Sequence, residues 1–289
     1  MPDRKVAIVS DSTLDLPDDL VADLSISLSP VHVLAGERSW KDRIEISIEE
    51  ANRMMLEGKE RLTTSGATPA DWLAAYEEAV KLAPEIVAFS IAPTLSATYQ
   101  GAITASELLE DGHVTVIDVK TILASMGLVV QECARRAKDG ATKDEVVALA
   151  SRLLPKVRMV VTSNSRSFAK GGGRYLGEGV AETDEGVPIF RIWERGWKEI
   201  DRAATREEAL DRLFIWMKRD LQEVGYRKGD PLKVVVDHIV CPEEAGALSD
   251  RLEREYHPDE LSIWQIGPTA GAHLGPGTIG FAYLTDPSL

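Results

Sequence analysis

Three short runs rich in valine and isoleucine, KVAIVS (5–10), EIVAFSIA (85–92) and HVTVIDV (113–119), each pass into polar turn residues and then a helical pattern. A strand that is apolar almost without interruption has no face to give to water. It must be covered on both sides, the condition of a buried parallel strand in an α/β layer. Between the first two runs, Thr68-Pro69-Ala70-Asp71 supplies an N-cap, a proline at the first helical position and an acid in the first turn. Trp72, Leu73, Tyr76, Ala79 and Val80 follow at helical spacing, so a helix starts here. Ser96 stands in the same relation to Tyr99, Ala102, Ile103 and Leu108 and reads as the next N-cap, and Gly140 to Pro155 reads as the last helix of this layer.

Beyond that point the pattern changes to longer extended runs: RMVVTS (158–163), VPIFRIW (187–193), KEIDRAA (198–204), LKVVVDHIV (232–240), LSIWQIG (261–267) and GTIGFAYL (277–284). Helical stretches lie near 205–224 and 242–256. The expected fold class is α/β: an N-terminal parallel α/β domain over residues 1–157, then a C-terminal α+β two-layer domain over 158–289, one sheet backed by two helices. At 289 residues the chain has the length for two cores.

Composition narrows the function. A net charge of -14 argues against a broad nucleic-acid or anionic membrane face, both of which need basic surface, but leaves room for a small anion in a local pocket. Cys133 and Cys241 form no CxxC and sit in apolar surroundings, as buried thiols do. No apolar stretch reaches the length of a membrane span and the start carries no long apolar leader, so a cytoplasmic protein is expected.

Three hydroxyl clusters, Ser10-Asp11-Ser12-Thr13, Thr63-Thr64-Ser65, and Ser96 with Thr98, fall where strands end and helices begin. Free backbone N–H groups and the positive end of the helix dipole suit a carboxylate or phosphate there, although each cluster also reads as ordinary capping. KGGGRYL (170–176) sets Arg174 after three glycines, either a ligand clamp or a glycine-rich turn with a solvated arginine, and it is neither a Walker A loop nor GxGxxG. GAHLGPGTIG (271–280) isolates His273 among glycines. With no second histidine three to five residues away, a metal site is not indicated. A base, an anion contact and a histidine satisfied within a tight turn stay open. No Ser-His-Asp order, paired carboxylates or metal cluster can be assembled, so catalytic residues are not assigned.

Taken together, VAIVSDSTLDLP, LTTSGATPADW, LSATYQGA, KGGGRYL and IGPTAGAHLGPGTIGFAYL, in this order and spacing, resemble the DegV family of bacterial fatty-acid-binding proteins. The resemblance covers almost the whole chain. It implies a C-terminal domain closing over a long-chain fatty acid such as palmitate, with no metal or cofactor besides that ligand. The acid is presented to a separate fatty acid kinase that phosphorylates its carboxylate with ATP for phospholipid metabolism, and membrane contact is at most transient. By position, the resemblance places carboxylate-binding hydroxyls on Thr64 and Ser96, an arginine of the GGR motif on Arg174, a histidine on His273 as a polar or partner-docking contact, and an arginine opening the next helix on Arg202. Gly66, Ala67 and Ala97 depart from the family pattern of glutamine, proline and glycine. The alternative, from another class, is a phosphotransfer enzyme acting on a small ketose or phosphorylated substrate.

Overall fold

In the computed structural model, which describes residues 4–164, 175–176, 186–193 and 196–287, the first apolar run is buried at every position. This strand, β1 (Val6–Asp11), lies between β2 (Ile26–Ser29) and β6 (Glu85–Ser90), with β7 (His113–Asp118) beyond β6 and every pairing parallel. Its alternate residues serve opposite layers. Ala7 and Val9 pack with Ile86 and Ala88 toward α3 (Pro69–Val80) and α4 (Thr98–Leu108), while Val6 and Ile8 pack toward α5 (Leu123–Lys138) and α6 (Lys143–Leu153). Helix α3 starts with the expected capping box, since Thr68 and Asp71 each accept the other's backbone N–H. Burial opposes ionisation of Asp71, but bonds from His32, Thr68 and Lys41 outweigh it and hold the carboxyl below its ordinary range.

The second sheet begins at β8 (Arg158–Thr162). Its order is β13 (Glu260–Gln265), β12 (Leu232–His238), β14 (Ile279–Thr285), β8, β10 (Val187–Trp193), β11 (Gly196–Ala203), β9 (Tyr175–Leu176). One face, through Val234, Val236, Phe281 and Tyr283, is backed by α7 (Arg206–Glu223) and α8 (Pro242–Tyr256), the two helices expected. The opposite face, through Met159, Val161, Val235 and Ala282, is closed by α5, so a helix of the first layer also covers the second sheet. Every residue of α5 from Leu123 to Gln131 is buried. A Cβ on its Gly127 would stand 2.4 Å from the Leu14 carbonyl oxygen and 2.6 Å from the Trp264 ring, so only glycine permits this approach.

A third, small antiparallel sheet differs from the sequence expectation. β3 (His32–Ala35) and β4 (Arg38–Lys41) form a tight hairpin at Gly36, whose φ is 58°, and β5 (Thr63–Ser65) pairs on the other side of β3. The hydroxyls of 63–65 therefore ride on an edge strand rather than at an end of the parallel sheet. Strand alternation turns Thr64 inward and leaves Thr63 and Ser65 exposed.

Two buried acids join the large sheets. Asp15, 4% exposed, follows the 3-10 turn Ser12–Leu14, and Asp237, 0% exposed, lies on β12. The Gly267 N–H donates to Asp15 Oδ1 at 2.8 Å and the Ala124 N–H to Asp237 Oδ2 at 3.3 Å. Asp15 Oδ2 and Asp237 Oδ1 are left adjoining, with no other partner among the described residues. Two ionised carboxylates are not tolerated at such a contact, and one shared proton pairs both oxygens. Burial pushes Asp237 up to about 7, and burial followed by the Asp237 charge raises Asp15 well above the ordinary range. The unfolded chain releases these protons near ~4, so between there and about 7 the folded state binds more protons and this contribution to stability is lost as pH rises. Thermal unfolding at about pH 5 and about pH 8 should show the decline in wild type and a flatter response in Asp237→Asn. Equal slopes in both would remove the pair as its origin.

Candidate functional site

A narrow cleft forms where the ends of β1 and β6, the small sheet, the start of α5 and α9 (Pro268–Leu274) meet. Val31, Ile91, Leu95, Ile122, Trp197 and Ala270 make most of the wall apolar, and Thr13, Thr64, Ser96, Thr269 and His273 supply polar groups. The cleft is narrow, with about 30 Å³ of free volume, well under the ~300–1,000 Å³ of ligand pockets, so a bulky ligand enters only as its walls part. A wider groove beside α5 and α6 is lined by Glu132, Arg135, Arg152 and Lys233. There Arg135 and Lys233 pair with Glu132 and Glu260, so it is a solvated ion-pair network, and the apolar cleft with converging donors is the better ligand site.

The carboxyl end of β1 and the turn after it fix one wall. The buried Asp11 carboxylate accepts from Ile91 N at 2.7 Å and Thr13 N at 3.0 Å, locking the two strand ends together; burial, partly offset by these bonds, raises its pKa. Ser12 donates to Asp42 Oδ2 at 2.9 Å and accepts from Val31 N at 3.1 Å, and Thr269 donates to the same Asp42 oxygen at 2.6 Å. Asp42, pushed by burial to about 6, thus ties the turn to α9. Of the cluster 10–13, only Thr13 lines the cleft, while the others hold backbone.

The structure brings three of the five expected site residues together. Thr64 Oγ1 and His273 Nε2, 209 residues apart, share a hydrogen bond of 2.7 Å, and Ser96 lines the same cleft. His273 is 6% exposed and lies in the last turn of α9, not in a tight turn, with its ring edge-on to Trp197. If the Nε2 proton is present the imidazole donates, and the Thr64 hydrogen is free to point at a ligand. Ser96 stands one residue before the N-cap of α4, which is Ala97, yet its Oγ still accepts from Thr98 N at 3.2 Å. Thr98 Oγ1 accepts from Ala67 N at 3.1 Å and shares a 2.8 Å bond with Ser96 Oγ. When Thr98 donates in that bond, both Ser96 acceptor sites are filled and the serine proton is left for a ligand. A Cβ on Gly66 would stand 2.9 Å from Thr98 Oγ1 and 3.1 Å from Ser96 Oγ, so the bare backbone keeps this hydroxyl pair undisturbed.

The other two expected residues stand apart. Arg202 lies in β11, paired with Pro188, and does not open a helix: Thr205 caps α7, which starts at Arg206. Its guanidinium is held by Glu199 at 2.7 Å, and it is not among the described residues lining the cleft. Arg174 lies outside the described residues. Thr13 belongs to the first hydroxyl cluster, whereas Thr269, Trp197 and the positioning carboxylate of Asp42 were not singled out from sequence, because each becomes a cleft residue only when distant segments meet. Among the described residues no group of His, Cys, Asp and Glu could hold a metal ion.

The layers and the cleft define an α/β protein of two large sheets with a narrow, mostly apolar cleft where they meet. The chain belongs to the DegV family, whose model, described as "Uncharacterised protein, DegV family", matches residues 5–286. A DegV domain-containing protein of Caldanaerobacter subterraneus is 27% identical over 284 residues, covering 96% of this chain and 98% of the relative. DegV of Bacillus subtilis, described as a fatty acid binding protein, shares the fold at TM-score 0.87 and 21% identity, over 98% of this chain and 100% of its own. A stearic acid-binding protein of Eubacterium ventriosum shares it at TM-score 0.88 and 23% identity, over 98% and 99%.

The Thr98 relay is open to a direct check. Thr98→Val should leave the Ala67 N–H unpaired and cost ~1–3 kcal/mol in urea unfolding, while Thr98→Ser, which keeps the hydroxyl, should lose much less. Equal losses would mean that the methyl group, not the hydroxyl, matters.

Proposed function

We propose that this protein is a carrier that binds a long-chain fatty acid such as palmitate, its acyl chain in the apolar cleft and its carboxylate at Thr64 and Ser96. The carrying observation is the cleft itself: mostly apolar walls ending in two hydroxyls whose protons can be freed by His273 and Thr98. Membership of the DegV family and the fatty acids named for the Bacillus and Eubacterium proteins support the same reading. On this reading residues 158–289 close over a ligand seated against 1–157, in the cytoplasm. The protein is not itself an enzyme; it presents the carboxylate to a separate fatty acid kinase that makes the acyl phosphate for phospholipid metabolism.

Burial of the chain supplies most of the affinity, about 0.8 kcal/mol per methylene, and the hydroxyls fix the head. Lipids extracted from the purified protein should contain long-chain fatty acids. Thr64→Ala and Ser96→Ala should each weaken palmitate binding by roughly ten- to a hundred-fold in displacement of a fluorescent fatty acid, without unfolding. Unchanged affinity in both would remove these hydroxyls from the site. ATP consumption by the chain alone would instead favour a phosphotransfer enzyme, although the Nε2 of His273 is engaged by Thr64.

Arg174 and Arg202 belong, in this proposal, to the kinase step, where phosphoryl transfer gathers negative charge, although Arg202 is held by Glu199 away from the cleft lining in this structure. Arg174→Ala and Arg202→Ala should abolish most acyl phosphate formation with the partner kinase and change palmitate affinity little. Loss of lipid with a normal rate of phosphorylation of the remaining complex would reverse that assignment.

A further inference from the structure

Trp197 carries a polar atom that the fold leaves unanswered. Its strand β11 is fixed between β10 and β9, pairing Trp197 with Ile192 and Tyr175. The side chain is 2% exposed, is part of the main core, and lines the cleft. Its indole Nε1 is buried with no hydrogen-bond partner among the described residues. Other indoles in the molecule are treated differently: Trp72 Nε1 donates to the Thr98 carbonyl at 3.0 Å and Trp216 Nε1 to Asp201 Oδ2 at 3.1 Å. A buried donor without an acceptor is destabilising and rare, and a ligand in the cleft that Trp197 lines is a source of that acceptor.

The position of the ring says which part of a ligand it meets. Trp197 and His273 stand edge to face with ring centroids 6.1 Å apart, and His273 is bonded to Thr64. The indole therefore borders the polar end of the cleft rather than its apolar depth. A carboxylate has about four acceptor sites, and Thr64 and Ser96 fill at most two of them. An indole N–H only donates, so it rewards a head group with a free oxygen lone pair and offers nothing to one without an acceptor.

We propose that Trp197 is a head-group-selecting residue of this cleft, its indole N–H donating to a carboxylate oxygen of the bound acyl chain beside the hydroxyls of Thr64 and Ser96. The assignment rests on the fatty-acid reading above, and the test separates the two. Trp197→Phe keeps an aromatic ring and removes the N–H. In ¹⁵N-labelled wild type, the indole cross-peak missing from Trp197→Phe should move downfield on saturation with palmitate and should not do so with the corresponding long-chain amine, whose ammonium accepts no hydrogen bond. Palmitate affinity should fall roughly ten- to a hundred-fold in Trp197→Phe. Should that variant fail to fold, the palmitate and amine spectra of wild type decide, with the peak assigned from Trp197→Tyr or by sequential assignment. Palmitate binding with an unmoved cross-peak, or with equal affinity in Trp197→Phe, overturns the role of Trp197 alone. Failure of wild type to bind palmitate at all overturns it together with the fatty-acid reading.

Discussion

The structure depends on a helix that has no solvated face where it counts. From Leu123 to Gln131, α5 is buried on all sides, packed against β1 of the parallel sheet and against β8, β12 and β14 of the second. Two sheets that share one covering helix cannot be moved independently without exposing it, and Gly127 sets how closely that helix approaches the Leu14 carbonyl and Trp264. The residue before α5, Ile122, lines the cleft, and the Ala124 N–H reaches Asp237, so the same helix start serves the site and the acid pair. The cleft lies where the two halves of the core are joined.

Around that joint the polar contacts are few and long-range. Thr64 meets His273 across 209 residues, Asp42 holds both Ser12 and Thr269, and Asp15 takes the Gly267 N–H from 252 residues away. Each is buried or half-buried, where a bond left unmade costs more than a bond made contributes. These contacts therefore specify register between α9 and the parallel sheet more than they add stability. They also orient hydroxyl protons: His273 can free that of Thr64, and Thr98 that of Ser96. A neutral-donor head site of this kind suits, in the proposed reading, a ligand whose affinity comes from its chain, because the donors need only hold the carboxylate in place for a second protein.

Much of this was legible in the residues. The apolar runs at 5–10 and 85–92 became β1 and β6 because a doubly covered strand requires such a composition, that at 113–119 became the half-buried edge strand β7, and the Thr68-Pro69-Ala70-Asp71 signal became a capping box because its geometry is local. The strand 187–193 and the helix 242–256 stand within the limits read from their periodicity. The small sheet was not legible: β3, β4 and β5 have three or four residues each, too few to show alternation. Helix α5 answers the helical pattern expected after 113–119, but its burial on all sides from Leu123 to Gln131 was not legible. A helix buried all round has no polar face, and hydrophobic period is the signal by which helices are read.

Sequence by itself determined the layers and the helix starts, which follow from local spacing and from the need to bury apolar faces, and it offered three hydroxyl clusters from which the family resemblance singled out Thr64 and Ser96. Tertiary structure alone decided which candidates meet. It joined Thr64 to His273, set Arg202 in a strand held by Glu199, and turned Trp197 into the cleft with its N–H unpaired. The physical reason is that strand and helix formation are governed by neighbours in the chain, whereas a pocket is made by segments brought together through packing of distant layers. No local pattern records which side chains will face one another there.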